Sequence, residues 1–181
     1  MPRSLTDPGL DDHERRALHD IAEHGLHVIG VLPQAGTPGW TYSIGLFHNY
    51  HHPEIVVFGL QDTLAHPVLN GIADDIRSGK HDEPDSQYEG LLESVRCTFK
   101  PVAKMWHRPF LGWAEWFYNG TDYPVLQWIW PDKTEHYPWE SKFRADWLWA
   151  QPLLFHTSPD DARATRLLNS LRVEPGPSDQ R

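Results

Sequence analysis

His48, His51, His52 and Glu54 crowd into one short stretch of this 181-residue chain, Gly45-Leu-Phe-His-Asn-Tyr-His-His-Pro-Glu-Ile-Val-Val-Phe-Gly59. Imidazole titrates near neutrality, so it both takes and gives a proton, and a neighbouring carboxylate orients the ring and favours its charged form. His48, His52 and Glu54, with Tyr42 just upstream, are therefore the candidate catalytic set, and their chemistry would be proton transfer on a small organic molecule. Two imidazoles and one carboxylate are also the donors of a facial metal triad, so His48, His52 and Glu54 are the residues a metal would use. Such triads usually draw their third ligand from far along the chain, whereas here all three fall in one loop. The structural alternative is that Glu54 accepts backbone N–H bonds and ties the loop together while the histidines are solvated.

A second group of residues points to binding. Eight of the nine tryptophans fall in the second half of the chain, and Trp128 and Trp130 stand two apart, on one side of a strand. They form a candidate aromatic wall for a flat ligand, a sugar ring or a flavin. Gln127, Asp132 in the turn Trp130-Pro-Asp-Lys133, and His27 are the polar groups that could orient such a ligand. The competing reading is a core built from large residues. Ser43 lacks a nucleophile elbow. Cys97, on an apolar strand face between Val95 and Phe99, reads as an inert core thiol.

The elements that must position these groups follow from spacing. Asp11 to His24 reads as a helix stopped by Gly25. Leu26 to Leu32, Trp40 to Phe47 and Ile55 to Leu60 read as strands, the second alternating with period two and the third almost wholly apolar and central. The His/Glu stretch is then the loop of a hairpin. Asp62 to Ser78 carries an apolar stripe at Leu64, Ala65, Val68, Leu69, Ile72, Ala73 and Ile76, with Pro67 placing its regular start near His66. His81 to Glu89 reads as a solvated acidic loop, Val95 to Val102 as a strand, Pro109 to Tyr118 as a short helix and Val125 to Trp130 as another strand. A capping box at Ser158 opens a last helix through Leu171. Turns too short for crossovers make the first strands antiparallel. The expected fold is a single α+β domain over residues 11–172, between a flexible N-terminus (1–10) and a disordered tail (173–181). Its sheet is mostly antiparallel, with closure into a barrel left open.

Once these elements are placed, the residues resemble a bacterial family known as domain of unknown function 4262. The resemblance is carried by Glu23-His-Gly-Leu-His-Val-Ile-Gly-Val, Pro38-Gly-Trp-Thr-Tyr-Ser-Ile-Gly-Leu-Phe-His and His52-Pro-Glu-Ile-Val-Val-Phe-Gly-Leu, then by Val125-Leu-Gln-Trp-Ile-Trp-Pro-Asp, His136-Tyr-Pro-Trp-Glu and Gln151-Pro-Leu-Leu. It covers residues 20 to 155 or so and implies that His27, Tyr42, His48, His52, Glu54, Gln127 and Asp132 are the recurring polar positions. The chain departs from the pattern at Leu26 and by the added His51.

Bulk properties exclude several classes. A formal charge of −9 and a pI near 5.7 disfavour a nucleic-acid binder. One cysteine rules out an internal disulfide framework and a cysteine-rich zinc site. No apolar run is long enough for a membrane helix, and no signal peptide is visible, so a cytoplasmic location is expected. The nucleotide-binding glycine motifs are absent and no cofactor is named by the sequence. The expected function is a small-molecule-binding, enzyme-like domain with a His/Glu cluster beside an aromatic pocket. The alternatives are a non-catalytic protein-interaction module, or a flavin- or metal-dependent form of the same pocket, with a homo-oligomer left open.

Overall fold

A computed structural model describes residues 1–34, 37–90 and 95–155. The helix expected from Ser158 and the tail expected from 173 lie outside the described residues. The first helix, α1 (Asp12–His24), starts at a capping box in which Asp11 and Glu14 bond each other's backbone N–H, and ends at Gly25 with φ 83°. Strands β1 (His27–Val31) and β2 (Trp40–Ile44) follow as an antiparallel pair.

The expected hairpin loop is instead a five-residue helix, α2 (Leu46–Tyr50), leading into β3 (Glu54–Phe58). Gly45 enters it at φ 111° and His51 leaves it at φ 54°. These two left-handed residues turn the chain sharply enough for β2 and β3 to pair antiparallel as a hairpin would. Helix α3 (Asp62–Arg77) runs unbroken through Pro67, earlier than the expected start near His66. The proline lies within the first two turns, and Thr63, whose carbonyl loses its partner there, is exposed to water.

The acidic stretch expected to be solvated holds the short strand β4 (Gln87–Tyr88) and buries Asp82 and Tyr88. After β5 (Cys97–Pro101), the expected single helix is divided at Leu111 into α4 (His107–Phe110) and α5 (Gly112–Tyr118), and β6 (Val125–Ile129) ends the sheet's contribution. Arg3, assigned by sequence to a loose arm, donates its backbone N–H to the Phe117 carbonyl (2.8 Å) and its Nε to the Trp116 carbonyl (3.1 Å).

The six strands form one sheet in the order β1-β2-β3-β6-β5-β4. Every pairing is antiparallel except β3 with β6. The sheet is open, so closure into a barrel does not occur. Apolar clusters cover both faces: Leu18 and Ile21 of α1 with Phe110, Ala114 and Phe117 on one side, and the stripe of α3 with Trp128 and Phe99 on the other. This is an α+β domain with a mostly antiparallel sheet between helical layers. All five residues of β3 are buried, which agrees with its unbroken apolar run.

Candidate functional site

Glu54 opens β3 and is fully buried. Four donors converge on its carboxylate. Ser43 Oγ donates to Oε2 (2.6 Å), and the backbone N–H groups of Gly45 (2.8 Å) and Phe47 (3.1 Å) donate to Oε1. The Tyr118 hydroxyl also donates to Oε1. Burial raises the Glu54 pKa above the usual carboxylate range, and the four hydrogen bonds work against that rise. Ser43 is used twice, because its Oγ also accepts the Ile55 N–H at 2.9 Å. The carboxylate thus fastens the entry of α2 to the β2–β3 junction, as the structural alternative anticipated for Glu54.

The histidines do not join it. The His52 ring is buried on another side, where Nε2 accepts the Asp82 N–H (3.0 Å) and Nδ1 donates to the Pro53 carbonyl (2.8 Å), so the proton sits on Nδ1. The expectation of a solvated His52 therefore fails. His48 is exposed, with its ring edge-on to Phe117 at 5.8 Å, and His51 is exposed at the end of α2. The Tyr42 hydroxyl accepts the Trp113 N–H (3.2 Å), and His27 pairs with Asp20 of α1 (2.8 Å). Among the described residues no three His, Cys, Asp or Glu side chains gather to hold a metal ion, so the facial triad of His48, His52 and Glu54 is not formed. His48 sits on α2 and is exposed, whereas the left-handed turn at His51 ends the helix and takes His52 out of its register, so that His52 and Glu54 are buried among separate partners.

Burial lowers the His52 pKa, the Pro53 carbonyl partly offsets this, and the facing His81 lowers it further. Between that lowered value and 6.5 the unfolded chain binds more protons than the native one, so this contribution is present above pH ~6.5 and lost on acidification. Urea midpoints measured between pH 5 and 8 should show wild type losing stability towards the acid end, relative to His52→Gln. Parallel pH curves for the two proteins would show that the ring titrates as it does in water.

The aromatic residues build a cleft elsewhere. Trp130 Nε1 donates to the Phe58 carbonyl (3.0 Å), and the Gln151 amide brackets the Trp130 backbone, accepting its N–H (3.1 Å) and donating to its carbonyl (2.8 Å). The segment carrying Trp147 and Trp149 passes so close to Gly59 that a Cβ there would stand 2.6 Å from the Ala150 carbonyl oxygen. Trp130 and Trp147 meet edge-on at 5.7 Å. With Leu60, Val95 and the exposed Trp149 they line a cleft of about 420 Å³.

The other residues assigned to the aromatic site do not present themselves to it. Trp128 is wholly buried against α3. The amide of Gln127 spans the Pro152 carbonyl (2.7 Å) and the Leu154 N–H (3.0 Å). Asp132 touches the cleft, but its carboxylate is occupied by the N–H (2.8 Å) and Oγ1 (2.7 Å) of Thr134 and the N–H groups of His136 (3.1 Å) and Arg144 (3.0 Å). Burial alone would raise the Asp132 pKa; these donors outweigh it and hold the carboxyl well below the usual range.

The cleft lies beyond Phe58 and Glu54 at the other end, so β3 separates the two features by roughly 15 Å. Sequence reading missed Tyr118 and Tyr123, whose rings stack at 4.5 Å beside Glu54, and His107, whose ring lies 4.8 Å from that of Tyr123. It also missed Trp147 and Trp149 as the cleft's outer wall. The one available signal was the crowding of indoles after residue 128.

The structure defines an α+β domain with a buried carboxylate at one end of its central strand and an indole-lined cleft at the other. The chain belongs to the family described as Domain of unknown function (DUF4262), whose model matches residues 20–144. No curated protein and no solved structure matches it. No helix among the described residues is long and apolar enough to cross a membrane.

Proposed function

We propose that this domain binds a small, flat, largely apolar molecule in the cleft walled by Trp130, Trp147 and Trp149. One observation carries the reading: Trp149 is 62% exposed, yet it borders a concavity whose other walls are indole and aliphatic carbon. Large apolar side chains exposed around a hollow of this size mark a binding site more often than a free surface. The cleft opens at the carboxyl ends of β3 and β6, the one parallel pair. Lys133 stands exposed at its rim with no ion pair among the described residues, and the neighbouring Asp132 carboxylate is already taken up by four donors, so Lys133 is the charge left to meet one anionic group on a ligand. Acid–base catalysis at His52 and Glu54 is not part of this reading, because both side chains are buried and already partnered.

Anilinonaphthalene sulfonate, flat and singly anionic, is the first probe. Its fluorescence should rise saturably with wild type. Trp149→Ala should weaken binding about tenfold or more, the worth of one good aromatic anchor. The same substitution should leave the melting temperature nearly unchanged, because the ring is exposed. Equal dye affinity in the two proteins, or no saturable signal in wild type, overturns the reading. The exposure of Trp149 also favours a protein partner. That alternative predicts a dimer on a sizing column that Trp149→Ala dissolves, with no dye response. Flavin mononucleotide in place of the dye tests the flavin form.

A further inference from the structure

A second pocket, of about 460 Å³, lies at the Glu54 end of the sheet, between Phe47 of α2, Val102 after β5, and Tyr123 and Pro124 before β6. His107 and Tyr123 form its inner wall and are 2% and 4% exposed. His107 Nδ1 and the Tyr123 hydroxyl are buried and meet no partner at full hydrogen-bond geometry among the described residues, although the backbone carbonyls of Val102 and Thr121 act on the His107 ring. A buried polar atom without a partner is costly, and such atoms are rare in native proteins. Two of them on neighbouring rings of one pocket wall point to a single missing partner that serves both.

The surrounding charges select its type. The Glu54 and Glu115 carboxylates act on the Tyr123 hydroxyl, which disfavours an anion there. Lys104, at the pocket rim, acts on the His107 ring, which disfavours a cation on that side, and its ion pair with Asp122 (3.0 Å) leaves no free positive charge there for an anion. Burial keeps His107 below its ordinary pKa and Tyr123 above its own, so at neutral pH the pair consists of a neutral imidazole and a protonated phenol. Such a pair is complementary to a neutral group that both donates and accepts.

We propose that this pocket binds a neutral small molecule whose hydroxyl or amide group bridges His107 Nδ1 and the Tyr123 hydroxyl, with its carbon frame against Phe47, Val102 and Pro124. The site is independent of the indole cleft, since β3 stands between them.

The test uses the full chain labelled with ¹⁵N. A long-range ¹H–¹⁵N spectrum reads the His107 ring nitrogens, assigned by their disappearance in His107→Gln. Acetamide and glycerol are the neutral probes and sodium acetate is the charged control. At least one neutral probe should shift the Nδ1 signal saturably, and acetate should not. Tyr123→Phe, which removes only the hydroxyl, should weaken the shift about tenfold, as expected for one buried hydrogen bond. The proposal is overturned if neither neutral probe gives a saturable shift, if acetate binds equally well, or if Tyr123→Phe binds like wild type. It is also overturned if a crystal structure soaked in both probes shows a bridging water only. Should Tyr123→Phe fail to fold, the contrast between neutral probes and acetate on wild type still decides the matter.

Discussion

Glu54→Ala should destabilise the domain by about 3–5 kcal/mol, a large share of the roughly 5–15 kcal/mol by which an ordinary domain is stable. The loss has two parts. Truncation opens a void at the start of the central strand, and it leaves the hydroxyls of Ser43 and Tyr118 and the N–H groups of Gly45 and Phe47 without their acceptor in a dry interior. Glu54→Gln separates these parts. The amide oxygen can take the place of Oε1 beneath Gly45, Phe47 and Tyr118. The amide nitrogen then faces Ser43 Oγ, which can turn its hydrogen away and accept. The glutamine variant should therefore cost less than about half as much as alanine.

The comparison also carries a pH signature. The folded-state pKa of Glu54 is raised, so the native chain holds a proton that the unfolded chain has released, and the associated stability is full below pH 4.5 and lost as pH rises through the folded value. Wild type should lose stability relative to Glu54→Gln over that rise, as read from chemical denaturation at several pH values. Equal losses for alanine and glutamine would mean that the four donors find other partners, and the tethering role would fall.

The strands were legible because their side chains alternate or stay apolar over five residues, and every strand that carries that pattern appears. Helix α2 was hidden. Leu46 to Tyr50 has no stripe, and the device that makes it possible is the left-handed backbone at Gly45 and His51, which only the glycine hinted at. The parallel contact of β3 with β6 was hidden as well, because α3, two strands and two short helices intervene, and spacing along the chain carries no information about which distant strand becomes a neighbour.

The same limit divides the candidate site. Glu54 stood out as a carboxylate beside a turn, and it does accept the backbone N–H bonds that such a position offers. Its fourth donor, Tyr118, arrives from 64 residues away, and no periodicity reports such a meeting. His52 misled in a different way. A histidine in a polar turn reads as solvated, but Asp82 brings its backbone N–H across from a loop that composition alone made look wet. Charge density in a segment describes its average, and the single acidic residue that turns inward escapes it.

Trp128→Ala should cost about 3–5 kcal/mol while leaving the cleft's chemistry untouched, because Trp128 belongs to the core and not to the wall. Its ring lies on the α3 side of the sheet between cross-strand neighbours Val57 and Phe99, and it is among the largest fully buried side chains. Trp128→Phe is the more instructive variant, since two effects of opposite sign meet in it. The smaller ring leaves a gap, which costs dispersion contacts, but it also removes an indole N–H that is buried and has no hydrogen-bond partner among the described residues. The phenylalanine variant should thus lose far less than alanine, within about 2 kcal/mol of wild type by thermal or urea denaturation. Anilinonaphthalene sulfonate bound to Trp128→Phe should show wild-type affinity, in contrast to Trp149→Ala. A large drop in dye affinity with the fold intact would put Trp128 back on the ligand's side of the strand. It would also mean that the cleft reaches through the sheet-facing layer to the floor that α3 now covers.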